Sequence, residues 1–169
     1  MNLARSTLLQ SLMFFAFVLT TEPLRAEIGL SAVFGDHMVL QRDLSLPVWG
    51  WADPGEEVTI TFASQAKNTK AEKDGNWRVD LDALEASDTG RELKVTGAKG
   101  SAKTFKDVLV GEVWVCSGQS NMEWTVNGSM NPIEEKANAN YPKIRHIKVP
   151  RIPSDSHETT FNSNWQVCS

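Results

Sequence analysis

Apolar and polar residues alternate in short runs over the first half of the chain. Val58-Thr59-Ile60-Thr61-Phe62 sets Val58, Ile60 and Phe62 on one face, the period of a half-buried strand. Trp77, Val79 and Leu81 repeat the pattern, as do Leu93 and Val95 within Arg91–Thr96. Met38–Gln41, Leu46–Ala52 and Ser101–Phe105 are further short strands, and the mainly polar Lys67–Lys73 has the character of an edge strand. Asp53-Pro54-Gly55-Glu56 is a turn, and Asp74-Gly75 is a hairpin signal. Only Leu81–Ala86 leaves room for a short helix. Strands at this spacing predict a β-sandwich over residues 27–107.

From residue 108 the pattern changes. Val108-Leu109-Val110 leads into Glu112-Val113-Trp114-Val115-Cys116, a nearly continuous apolar run that predicts a central parallel strand. Pro132–Asn140 suits a helix that starts at proline, with Glu134 and Glu135 in its first turn. Tyr141-Pro142 ends it, and Ile144–Val149 is a second strand. Together they predict a β-α-β unit of a three-layer α/β domain. The residues after Gly111 are too few for a complete doubly wound domain, so residues 108–169 read as the first part of one. The alternative is a β-sandwich with a small α/β appendage.

The N-terminus adds a location. A basic start with Arg5, the apolar run Leu8–Leu19 and Arg25-Ala26 match the three parts of a secretory signal peptide over residues 1–26. The run is shorter than the roughly 20 residues that span a bilayer, so no integral membrane span is expected, although a retained N-terminal anchor is the alternative. The expected location is periplasmic or extracellular. Loss of the signal removes Arg5, Arg25 and Glu22 and moves the formal charge from −4 to −5. That charge offers no footprint for nucleic acid. Cys116 and Cys168 are the two cysteines. A pair is possible in an exported protein, but Cys116 in an apolar strand favours free, buried thiols. No CxxC or His/Cys cluster points to a metal.

Ser120 is the residue with candidate chemistry. It follows the apolar strand within Ser117-Gly118-Gln119-Ser120-Asn121, and ligands of open α/β sheets bind beyond the carboxyl ends of strands. A helix over Asn121–Val126 would aim free N–H groups at an oxyanion there. Gly118 permits close backbone approach, while Gln119 and Asn121 supply amides that orient a substrate. Ser120 is then an acyl-transfer nucleophile. On the residues alone, a helix cap remains the simpler alternative. Met122 stands where a G-x-S-x-G elbow needs glycine, which argues against an ordinary lipase or peptidase site.

The block GEVWVCSGQSNMEW, Gly111–Trp124, closely resembles the opening of the catalytic domain in the sialate O-acetylesterase family of SGNH hydrolases. FGDHMVLQRD (Phe34–Asp43), LPVWGWADPGEEV (Leu46–Val58), NANYPKIRHIKVP (Asn138–Pro150) and NWQVCS (Asn164–Ser169) resemble its flanking segments. The resemblance implies an N-terminal β-sandwich followed by a flavodoxin-like, SGNH-type three-layer domain, incomplete here. It implies removal of acetyl groups from carbohydrate hydroxyls, on sialic acid or an acetylated polysaccharide, with no cofactor. It assigns Ser120 as nucleophile, with its own N–H as one oxyanion donor. The general-base histidine, its aspartate and the remaining oxyanion donors of that family fall beyond Ser169, so this chain alone is expected to be inactive.

Other residues have plainer expectations. Asp155-Ser156-His157 is a D-x-H in a polar loop rather than a D-x-x-H block, and His37 and His146 belong to turn and strand. Glu112 is expected to pair with a nearby Lys or Arg, and Glu123 to favour a helix start. Trp49 and Trp51 share a strand face. They are expected in the core; the alternative, a sugar-stacking pair, would make the chain a non-catalytic carbohydrate-binding module.

Overall fold

The computed structural model describes residues 27–168, and the signal peptide expected over residues 1–26 lies outside the described residues. The described strands are β1 (Gly29–Leu30), β2 (Val39–Gln41), β3 (Leu46–Trp51), β4 (Glu57–Phe62), β5 (Gln65–Lys70), β6 (Asn76–Leu81), β7 (Ser87–Gly97), β8 (Ala102–Gly111), β9 (Tyr141–His146) and β10 (Gln166–Cys168). One α-helix, α1 (Pro132–Asn138), lies between β8 and β9. β1, β3 and β6 form an antiparallel sheet in the order β1-β3-β6. Five strands form a second sheet, β2-β8-β7-β4-β5, antiparallel except where β2 runs parallel to β8.

Alternation dictates this arrangement. Leu46 and Val48 of β3 and Trp77, Val79 and Leu81 of β6 are buried, as are Val58, Ile60 and Phe62 of β4 and Leu93 and Val95 of β7. All belong to one continuous apolar cluster, which Ile28, Phe34, Met38, Val108 and Val110 complete. The two sheets therefore share a single core. Removing this apolar surface from water is the dominant stabilising term.

Four expectations change. The Trp pair leaves the core: Trp49 is 39% and Trp51 37% exposed. Period two forces this, because Leu46, Val48 and Gly50 take the inward positions of β3. Opposite Gly50 the space is filled by Trp77, whose Cζ2 would lie 2.8 Å from an added Cβ. Asp74-Gly75 does not close a hairpin, since β5 and β6 belong to different sheets. Instead Asp74 accepts hydrogen bonds from Asn76 N (3.0 Å) and Nδ2 (2.7 Å), shaping a crossover. Residues 82–86 are not helical; Asp82 N is held by Gln65 Oε1 at 2.7 Å. β5 is an edge strand as expected, and its Lys67 Nζ reaches Asp80 O (2.9 Å) and Asp82 Oδ1 (2.6 Å).

The fourth change is the largest. β8 runs without a break through residues 107 and 108 to Gly111 and stops there. Glu112–Cys116 form no strand, and Trp114 is 82% and Val115 94% exposed. A parallel strand requires neighbouring strands to share its hydrogen bonds, and no described strand pairs with this run. β9 pairs antiparallel with β10, so no parallel β-α-β unit forms among the described residues. The helix does form at Pro132, with Glu134 and Glu135 in its first turn.

The segment after Gly111 has no buried residue of its own through Ile144, and polar contacts attach it to the sheets. Arg145, its side chain only 6% exposed, is the principal one. Its Nη1 donates to Asp107 Oδ2 (2.9 Å) and His37 O (3.2 Å), and its Nε to Pro142 O (2.7 Å). His37 Nδ1 donates to the same Asp107 oxygen at 2.7 Å. The His37 hydrogen bond, with Arg145 beside it, holds the Asp107 carboxyl below the usual carboxylate range. Trp165 adds a second attachment, with Nε1 donating to Val33 O at 2.9 Å.

Two measurements follow from this packing. Leu93 is fully buried in central β7, so Leu93→Ala is expected to cost about 2–5 kcal/mol in urea unfolding. Asp107 stabilises the fold as a carboxylate, because its folded pKa is depressed. Its contribution is complete above the usual carboxylate range and is lost as pH falls through the lower, folded value. Asp107→Asn should therefore be less stable than the wild type near neutral pH, and the gap should close in acid; urea midpoints across pH check this.

Candidate functional site

Gln41 carries the chain from the sheet toward Ser120. Its Oε1 accepts from Val113 N at 2.8 Å, and its Nε2 donates to Glu112 Oε2 at 3.2 Å. Arg42 N donates to Gly111 O at 2.9 Å, and Arg42 Nε lies 3.7 Å from Glu112 Oε1. Glu112 thus pairs with an arginine, as its position implied. The end of β8 and the start of the following segment are fixed against β2.

Ser120 opens a 3₁₀ turn, Ser120–Glu123, preceded by Gln119 in an extended conformation (φ −106°, ψ −156°). The first bond of the turn runs from Met122 N to Gln119 O (2.9 Å), followed by Trp124 N to Asn121 O (3.2 Å). The N–H groups of Ser120 and Asn121 precede these bonds, the usual situation at the start of a helical turn. A second 3₁₀ turn, Val126–Gly128, follows. The expected helix over Asn121–Val126 is thus two short turns, because Trp124 leaves helical space at ψ 120°. A turn this short contributes little dipole, so local N–H groups rather than a macrodipole would act on an anion.

The other residues of the block sit within the same turn. Gly118 packs against Met122, whose Cγ would lie 3.0 Å from an added Cβ, so an alanine there would require the Met122 side chain to shift by a few tenths of an ångström. Gln119 precedes the turn and Asn121 lies within it; both are exposed. Ser120 is exposed too, and among the described residues its hydroxyl has no hydrogen-bond partner. No described histidine is bonded to it. His37 is tied to Asp107, His146 lies on β9 opposite Gln166, and His157 is in an exposed loop. Glu123 does more than favour a turn start, since it forms an ion pair with Arg151. Sequence reasoning missed that pair, whose partners are distant in sequence and joined only by the fold.

Among the described residues, no cluster of three or more His, Cys, Asp or Glu side chains could hold a metal. No described helix is long and apolar enough to cross a membrane. Cys116 and Cys168 are free thiols, but Cys116 is exposed rather than buried, because its segment forms no strand.

No protein-family model matches the chain. Over 130 residues it is 33% identical to the sialate O-acetylesterase of Mus musculus, covering 71% of this chain and 24% of that protein. It is 32% identical over 139 residues to the sialate O-acetylesterase of Homo sapiens, covering 74% of this chain and 26% of that protein. This chain is related to the sialate O-acetylesterases. It spans about a quarter of the length of these curated relatives. A crystal structure of a carbohydrate acetylesterase from Xanthomonas citri superimposes with a TM-score of 0.79 at 34% identity, covering 84% of this chain and 33% of that one. The two large sheets end at Gly111, so a match of that extent runs well into the segment that carries Ser120. The likeness to that carbohydrate acetylesterase therefore extends beyond the shared sheets.

The exposure of the thiols can be checked directly. A disulfide reagent such as DTNB is expected to titrate both cysteines in the native chain, Cys116 faster than the half-buried Cys168. Cys116→Ser should remove the fast phase.

Proposed function

We propose that this chain carries the nucleophile segment of a carbohydrate O-acetylesterase. The observation that carries the reading is Ser120: exposed, unbonded, and placed at the entry to a turn whose first N–H groups are free of backbone partners. In the proposed reaction Ser120 Oγ adds to the acetyl carbonyl and gives up its proton to a base. The oxyanion is held by donors that include the Ser120 N–H. The sugar hydroxyl leaves with a proton, and water then cleaves the acetyl-serine to acetate and free serine. Gly118 lets the Met122 side chain pack closely against the backbone before the turn, and Gln119 and Asn121 present amides beside the reacting carbonyl.

The same reading takes the two large sheets as a β-sandwich. The segment after Gly111 opens an SGNH-type three-layer domain, and the N-terminal residues direct export. A serine hydroxyl without a base is a poor nucleophile, and no described histidine serves Ser120. The general base comes from residues outside this segment, and the substrate is an acetylated sugar, as the names of the related enzymes suggest.

The test is acetate release by a chain that joins this segment to the remaining length of its relatives. Ser120→Ala is expected to lower kcat on the order of 10⁴-fold or more; activity retained in that variant overturns the assignment. The 169-residue chain alone is expected to hydrolyse an aryl acetate no faster than its own Ser120→Ala variant.

A further inference from the structure

The outer face of the β1-β3-β6 sheet is built differently from the rest of the surface. Trp49 and Trp51 project from β3 on the same side, roughly 7 Å apart along the strand. Both are more than a third exposed. Neither is loose. Trp49 meets Phe34 edge-to-face, with ring centroids 4.7 Å apart at 75°. Trp51 lies directly over Gly29, with no room for a side chain between them. Two indoles are thus held in place and left partly uncovered.

Polar groups surround them. Across the sheet, Arg78 pairs with Trp49 and Asn76 with Trp51. Beside Trp49 is a shallow depression of about 250 Å³, lined by Trp49, Gly50, Glu72, Asn76, Trp77 and Arg78. Arg78 is oriented by Asp80, whose Oδ1 accepts from Nε (3.0 Å) and Nη2 (2.8 Å). That leaves Nη1 to donate elsewhere. Asn76 Nδ2 is engaged by Asp74 at 2.7 Å, which leaves its carbonyl oxygen as an acceptor. Fixed aromatic faces next to a planar cation, an amide and a carboxylate are the chemistry that binds a sugar: its C–H faces stack on indole, and its hydroxyls pair with the polar groups.

Charge narrows the class of sugar. Asp80 already neutralises Arg78, and Glu72 adds another carboxylate. An anionic sugar such as sialic acid would meet net negative charge, whereas a neutral one would not. The depression is smaller than the ~300–1,000 Å³ of drug-sized sites, which suits one pyranose unit of a longer chain. We propose that this face binds a neutral polysaccharide, with Trp49 and Trp51 as stacking surfaces and Arg78, Asn76 and Glu72 as hydroxyl partners. The site is separate from Ser120 and independent of the esterase reading.

The test is native affinity electrophoresis of the full chain in gels containing soluble xylan, hydroxyethylcellulose or polysialic acid. At least one neutral polymer is expected to retard the protein, and polysialic acid is not. Trp49→Ala and Arg78→Ala should each weaken retardation by about tenfold or more, a loss of roughly 1.4 kcal/mol, while Ser120→Ala leaves it unchanged. Arg78 is exposed, so its variant probes the face without disturbing the Trp49–Phe34 packing. Any of four results overturns the proposal. These are no retardation by either neutral polymer, equal retardation by polysialic acid, unchanged binding in both face variants, or loss of binding in Ser120→Ala. Self-association abolished by Trp49→Ala without any retardation would instead make the face a contact between copies.

Discussion

The apolar seam between the two large sheets is the constraint from which the other placements follow. Val48, Val58, Ile60, Leu81, Leu93, Val95 and Val108 all lie in it with no exposed surface. Each inward residue fixes its strand neighbours outward, so the seam decides where Trp49, Trp51 and Arg78 point. It also fixes β8, whose Val108 and Val110 enter the core while the strand runs on toward the serine block. The segment beyond Gly111 takes its position from that strand, from Gln41 beside it, and from contacts such as those of Arg145 and Trp165.

The two halves of the protein are held by different physics. The sheets rest on buried apolar area, which carries no titrating charge of its own. The later segment rests mainly on charge-assisted hydrogen bonds at Asp107 and on Trp165, which bonds Val33 and packs against the edge of the core. Interactions of this second kind are individually modest, and they let a segment open without unfolding the rest.

The sheets were largely legible in the sequence because half-buried strands write their faces as alternation. Val58, Ile60, Phe62, Trp77, Val79 and Leu81 all fell where the period put them. The helix at Pro132 was legible for a similar local reason, a proline start followed by two glutamates. What failed required knowing the neighbours. Glu112–Cys116 has the composition of an interior strand, but composition cannot supply the strands that would flank it. The turn at Asp74-Gly75 has hairpin chemistry, yet its strands enter different sheets. Trp49 and Trp51 look like core by residue type; only the identity of Gly50 as the inward residue, opposite Trp77, reveals them as surface. In the candidate site, the sequence marked a helix over Asn121–Val126 where two short 3₁₀ turns stand, and the Arg151–Glu123 pair joins positions no local pattern connects.

Lys67 has a consequence beyond its own two bonds. It stands on β5, at the open margin of the larger sheet, and fastens that margin to Asp80 and Asp82 at the rim of the smaller one. A bare margin is where foreign strands add and fibres begin to grow. A cation clasped across the rim puts a desolvation cost on any such newcomer. Strand addition is thereby discouraged along the side of the protein where the backbone would otherwise invite it.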